Sequence, residues 1–251
     1  MAISLFARLR VTVMLAVAGC IHALTFAPDP LPSWSLAIVQ IVALSVLVQS
    51  VRDATSVLQA FLRGGWFGLV NFSVGLYWLF ISMNHYGGLP APLAVIGVIA
   101  LSAFLALFTA LACGVFAGLR PVPARRIVWM DVLTWSAAWA GTEWLRSILF
   151  SGFPWLNIGY AHVDSPLAGW APLLGVHGVA FFAAFVAAAL SLALRPSAAL
   201  QKPAPAIAMT ALALLLSGEL LMQVDWSSAY GKPLNIQLVQ GNIDQSEKFD
   251  P

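Results

Sequence analysis

Charge is what this sequence has least of. Of its 251 residues only 9% are Asp, Glu, Lys or Arg, whereas a soluble domain carries about 25%. So few charges cannot cover a water-facing surface. Cysteine is nearly absent too, with Cys20 and Cys113 the two examples. They fall in different apolar runs, carry no metal-ligand spacing, and imply no disulfide framework. No basic stretch is interleaved with aromatics, so nucleic acid is not an expected partner. No four-ligand cluster of His, Cys and acids stands out, and neither a metal nor a cofactor is expected.

What the chain has instead is hydrocarbon. Hydrophobic residues make up 61% and mean hydropathy is +0.89. Seven long apolar runs lie at about 11–27, 33–50, 65–82, 92–118, 127–143, 170–194 and 203–223, each near the roughly 20 residues that a membrane-spanning helix needs. Strands satisfy their backbone in lipid only inside a closed barrel, and these runs are too long and too uniformly apolar for that. Prolines 28, 30 and 32, then 90 and 92, then 121 and 123 punctuate the connections, as suits a residue with no N–H and a fixed φ.

Direction follows from the arginines. With the N-terminus cytoplasmic, the cytoplasmic segments hold Arg8, Arg10, Arg52, Arg63, Arg120, Arg125, Arg126, Arg195 and Lys202, nine of the twelve basic residues. An odd number of spans then puts the chain after Met222 outside. One rival exists at the start. Arg8 and Arg10 precede Val17-Ala18-Gly19-Cys20, which is similar to a lipoprotein processing box. The apolar stretch continues to Ala27, which favours an uncleaved span.

Polar groups concentrate in a few places. The connection 143–169 holds Glu143, Trp144, Arg146, Phe150, Phe153, Pro154, Trp155, Asn157, Tyr160, His162 and Asp164. Trp and Tyr favour the headgroup layer, because one end of each is apolar and the other polar. Glu143 and Arg146 are three apart at a helix end, on one face, where an ion pair forms. Such a pair avoids a bare charge near hydrocarbon. A second patch runs from Asn71 through Tyr77 and Trp78 to His85 and Tyr86. Gly64 and Gly68 have the spacing that lets helices approach closely. His177, Asp131 and Glu219 are ionisable residues in or near spans with no evident relay between them. At 234–238 apolar and polar residues alternate, which predicts a strand with one buried face. A lone strand is not stable, so a further outside domain is expected to follow.

Four blocks carry a family resemblance: FSVGLYWLFISMNHYGG, EWLRSILFSGFPWLNIGY, PLAGWAPLLGVHGVAF and LNIQLVQGNIDQSEKFDP. In this order, over residues 67–251, they resemble bacterial apolipoprotein N-acyltransferase. The resemblance implies an all-α polytopic membrane bundle of seven helices (1–223), then a linker and first strand (224–251) of a periplasmic, α/β nitrilase-like domain that the chain cuts short. It implies an inner-membrane enzyme that moves an acyl chain from a phospholipid to the free amine of an S-diacylglyceryl-cysteine lipoprotein, through a cysteine thioester. The family's Cys, Glu and Lys have no counterpart here. Glu247, Lys248, Cys20 and Cys113 do not match them, so the 251 residues alone are expected to be inactive. On the same resemblance His85, Trp155, Tyr160 and Phe249 are expected to face substrate, and Gln240, Gly241 and Gln245 to shape the strand and turn. A transporter and a non-catalytic membrane scaffold remain the alternatives.

Overall fold

The computed structural model describes residues 2–26, 31–120, 128–194, 204–232 and 234–242. Among them are eight α-helices: α1 (Ala2–Ala23), α2 (Ser33–Arg52), α3 (Val57–Gly75), α4 (Tyr77–Ile81), α5 (Ala91–Leu119), α6 (Val128–Ile148), α7 (Ala171–Leu194) and α8 (Ala204–Leu221). Four of these, α2, α5, α7 with its preceding turn, and α8, are each long and apolar enough to cross a membrane. The bent pair made by α3 and 77–86 gives a fifth. At 22 residues α1 is about 33 Å long, also enough to span the hydrocarbon.

Two expectations need correction. The count of seven helices becomes eight because the third apolar run breaks at Leu76. There φ is −106° and ψ is 16°, and Val57–Gly75 and Tyr77–Tyr86 meet at 50°. The second piece continues as a π-helical turn over Ser82–Tyr86. Leu156, from the loop after α6, presses on Gly75 at the break; its Cδ1 would lie 2.5 Å from a Cβ there. Hydropathy cannot register a bend made by a distant side chain. The expected start of an α/β domain is also absent: no strand occurs among the described residues. Leu234, Ile236, Leu238 and Val239 are all exposed. Alternation over five residues does not make a strand without a neighbour to share the ladder. What stands is an all-α bundle.

The bundle is held by close approach rather than by burial from water, since lipid is as apolar as the side chains. α3 lies against α1, α2 and α5, while α7 lies against α2, α6 and α8. The Gly64 and Gly68 pair meets α5. A Cβ on Gly64 would sit 2.5 Å from Cys113 Sγ and 2.8 Å from the Thr109 carbonyl oxygen. Ala180, Ala183, Ala184, Ala187 and Ala188 give α7 a buried small-residue face. Trp135, Phe67, Phe116, Leu44, Leu47 and Leu105 fill the interior. Outside it, Ile96, Ile99, Phe104 and Leu107 of α5 remain exposed, as a lipid-facing surface requires. Gly64→Val is expected to force α3 off α5 and cost about 1–3 kcal/mol. A lowered unfolding midpoint in detergent checks it; an unchanged midpoint contradicts the close packing.

Candidate functional site

The segment 149–170 links α6 to α7 and is folded onto the bundle by side chains beneath it. It begins with a left-handed run. Phe150 (φ 53°), Ser151 (φ 74°) and Gly152 (φ 81°) turn the chain sharply after α6. Position 152 requires glycine, because a Cβ there would collide with the Ser147 carbonyl. Leu156 is also left-handed, at φ 59°. Non-glycine residues hold such angles only where the surroundings over-determine them.

Glu143 and Arg146 hold the backbone that follows this run. Both are buried, and they lie 3.7 Å apart as an i,i+3 pair. Arg146 Nη1 donates to the carbonyl of Phe153 (2.7 Å) and to that of Trp155. Its guanidinium also rests 5.3 Å from the centre of the Phe72 ring. Glu143 Oε1 accepts the backbone N–H of Ile158 at 3.0 Å. One helical turn of α6 therefore grips the loop at three backbone positions. Asn157 adds a fourth grip. Its Oδ1 accepts from Gly159 N (2.9 Å), and its amide lies 3.3 Å from His177 Nδ1 on α7. His177 Nε2 lies 3.4 Å from Ser147 Oγ.

A second polar network anchors the far half of the loop. Ser165 Oγ is 3.0 Å from His162 Nδ1, His162 Nε2 is 2.9 Å from Gln40 Oε1, Gln40 Nε2 is 3.2 Å from His22 Nε2, and His22 Nδ1 is 3.0 Å from Asn71 Oδ1. All five residues are buried. Oxygens on Asn71 and Gln40 accept, so with these amide orientations each ring donates through one nitrogen and accepts through the other. Donation then runs one way, from Ser165 through His162, Gln40 and His22 to Asn71, and no member is left unsatisfied. Four pieces of chain meet in this line: the loop, α2, α1 and α3.

From sequence, His162 belongs to the polar, aromatic connection 143–169 and lies on the same outer side as His85, while His22 and Gln40 are not singled out. A glutamine in the middle of an apolar run was the available signal, since polar groups within a membrane are costly unless partnered. Of the residues expected to face substrate, Trp155 and Tyr160 are 53% and 50% exposed on the outer surface of the gripped loop. Trp155 pairs with Phe153, ring centres 5.2 Å apart. His85 is exposed on the π-helical turn and meets Tyr86 edge-on at 4.9 Å. Among the described residues no hydrogen bond or ring contact joins His85 to Trp155 or Tyr160. Phe249, Gln245, Glu247 and Lys248 lie outside the described residues.

Burial, with the nearby His22 adding to it, pushes the His162 imidazole from the usual 6.5 down to about 4. The fold thus favours the neutral ring. Its contribution to stability, at most about 3 kcal/mol, is complete above pH 6.5 and is lost as pH falls towards 4. Thermal unfolding in detergent is expected to show a midpoint that drops across that window. A midpoint that rises on acidification contradicts the assignment.

These features define a class: a multi-pass membrane protein that clamps an aromatic loop to the end of its bundle with buried charge and histidine networks. The family profile of the apolipoprotein N-acyltransferase N-terminal domain matches residues 18–189. The chain is 55% identical over 252 residues to an apolipoprotein N-acyltransferase of Bordetella bronchiseptica, an alignment covering 96% of this chain and 46% of that protein. It is 40% identical over 245 residues to one from Ralstonia nicotianae (97% and 45%). It is 37% identical over 238 residues to one from Pseudomonas putida (93% and 45%). The chain belongs to the apolipoprotein N-acyltransferase family, and it is a multi-pass bacterial inner-membrane protein. It spans about half the length of the curated relatives it matches.

Proposed function

We propose that this chain is the membrane platform of an apolipoprotein N-acyltransferase, and that the loop 149–170 presents lipid substrates on the periplasmic side. The observation that carries the proposal is the gripped loop within a member of this family. Its backbone is fixed by Glu143 and Arg146, while Trp155 and Tyr160 stay half-exposed at its surface. Amphipathic rings held rigidly at the headgroup layer contact lipid at low entropic cost. His85 and Phe249 belong to the same proposed substrate-facing set. The N-terminus is cytoplasmic in this reading, and the chain after α8 is periplasmic.

The proposed reaction is a two-step acyl transfer. A thiolate attacks the ester carbonyl of a phospholipid; the carbon–sulfur bond forms, the ester carbon–oxygen bond breaks, and a lysophospholipid leaves. The free amine of a diacylglyceryl-cysteine lipoprotein then attacks the thioester, forming the amide and releasing the thiol. The thioester divides one slow amide formation into two easier steps, and donors aimed at the developing oxyanion lower both barriers. The resemblance assigns no residue of these 251 to the nucleophile, the base or the oxyanion donor, so the platform by itself is expected not to catalyse transfer.

The test uses the full gene product in proteoliposomes with phosphatidylethanolamine and an S-diacylglyceryl-cysteine peptide. Acylated peptide is expected. Replacing both rings, Trp155→Ala with Tyr160→Ala, is expected to lower kcat/KM by about 10–100-fold, as loss of substrate-positioning groups does. No acylation by the folded, unsubstituted protein overturns the assignment. Unchanged kinetics in the double variant removes the loop from substrate contact.

A further inference from the structure

Away from the loop, the beginnings of α1 and α3 leave a groove of about 310 Å³ between them. Its lining is part cationic and part apolar. Arg8 and Thr12 come from α1 and Gln59, Arg63 and Trp66 from α3, and Val11, Leu15 and Leu62 add aliphatic side chains, Leu15 buried and Leu62 exposed. Among the described residues no carboxylate lines it. The α1 positions 8–12 lie roughly three turns before His22, so the groove is at the other end of the helices from the histidine network.

The polar groups of this groove are set as donors. Gln59 spends its side-chain oxygen on the backbone N–H of Thr55 (2.7 Å) and on the Thr55 hydroxyl (3.1 Å), which leaves its amide N–H pair to donate. Arg63 gives one arm to the Ser50 carbonyl, which fixes the guanidinium beside the cavity. Asp53 interacts with Arg63 electrostatically, and Arg8 brings a second positive charge to the lining. The Trp66 indole N–H is tied to the Thr12 carbonyl at 2.9 Å, holding the ring as a wall across the two helices. A fixed aromatic, two arginines and an amide donor beside aliphatic side chains match a phosphate joined to acyl chains. The phosphate accepts from Arg8, Arg63 and Gln59. The first methylenes of the chains cover Val11, Leu15 and Leu62. Free phosphate would satisfy only the polar groups and leave the aliphatic side chains uncovered.

We propose that the α1–α3 groove binds the headgroup of an anionic glycerophospholipid from the leaflet on the arginine-rich side. A zwitterionic lipid brings its own ammonium to a lining that is already positive, so the groove selects against it. This site is separate from the loop and from the acyl-transfer reading, and it stands whether or not that reading does.

Native mass spectrometry of the detergent-solubilised protein tests it, with dioleoylphosphatidylglycerol, dioleoylphosphatidylcholine and inorganic phosphate as probes. The phosphatidylglycerol adduct is expected to be retained about tenfold more strongly than the phosphatidylcholine adduct, a difference of about 1.4 kcal/mol. Inorganic phosphate at millimolar concentration is expected neither to bind nor to compete. Arg63 also holds Ser50, so the deciding variant is Arg8→Gln, at an exposed residue. It is expected to weaken phosphatidylglycerol by about tenfold while its unfolding midpoint stays put. Arg10→Gln, on a residue that does not line the groove, is expected to bind as the unsubstituted protein does. Equal retention of the two lipids, competition by phosphate, unchanged binding in Arg8→Gln, or an equal loss in Arg10→Gln would each overturn the proposal.

Discussion

Arg146→Met is expected to cost about 3–5 kcal/mol, the loss seen when one partner of a buried ion pair is removed. The side chain is 3% exposed and does three things at once: it faces Glu143 at 3.7 Å, it donates to the Phe153 carbonyl, and it donates to the Trp155 carbonyl. Methionine fills much of the same volume, so what is lost is charge and donors rather than packing. Glu143 is left buried without its cation, and two carbonyls lose their partner. The freed carbonyls lie next to the left-handed stretch 150–152 and to Leu156, where non-glycine residues need support from their surroundings. The expected readouts are a lowered unfolding midpoint and new protease cleavage within 150–158. Adding Glu143→Gln should recover part of the loss, since the amide oxygen still accepts from Ile158 N and no buried charge remains. A midpoint and cleavage pattern like those of the unsubstituted protein would show that Arg146 does not hold the loop.

Gln40→Leu is the second large effect. The residue is fully buried and is hydrogen-bonded to both His162 and His22. Leucine is close in size and suits the surrounding apolar helix, so a hydropathy argument predicts little change. The hydrogen-bond argument predicts the reverse. His162 Nε2–H loses its acceptor and His22 Nε2 its donor, and each orphaned group costs about 1–3 kcal/mol. The total is roughly 2–6 kcal/mol, with the loop's second half released from α2. Gln40→Asn separates polarity from shape: the shorter amide keeps one acceptor and one pair of donors for the two rings and adds no charge, so a smaller loss is expected. Unfolding midpoints across the pair check this. Equal stability of Gln40→Leu and the unsubstituted protein would mean that the network adds nothing.

The sequence made the spans legible because hydrocarbon thickness imposes one requirement on every helix, and apolar length reports it directly. It could not report the break at Leu76, where an apolar run continues without interruption and the bend is tied to Leu156 from eighty residues away. The strand expected over 234–238 shows the opposite error. There a local period was read as structure without a partner to complete it. At the site, the spacing of Glu143 and Arg146 was readable as an ion pair, yet its targets, the backbone of 153–158, were not. The histidine network was missed for a similar reason. Gln40 and His162 are 122 residues apart, and His22 and Asn71 are 49 apart. Sequence motifs group neighbours in the chain, whereas a buried polar group finds its partners across the bundle.

The lipid-presenting role depends on which side of the membrane the gripped loop faces. In a variant with Cys20→Ala and Cys113→Ala, single cysteines at Val163→Cys on the loop and Val57→Cys at the start of α3 are both at exposed positions. A membrane-impermeant maleimide applied to the outside of the inner membrane is expected to label Val163→Cys in intact spheroplasts and Val57→Cys only after lysis. Labelling of Val57→Cys first, with Val163→Cys protected until lysis, would put the loop in the cytoplasm and contradict the lipid-presenting role.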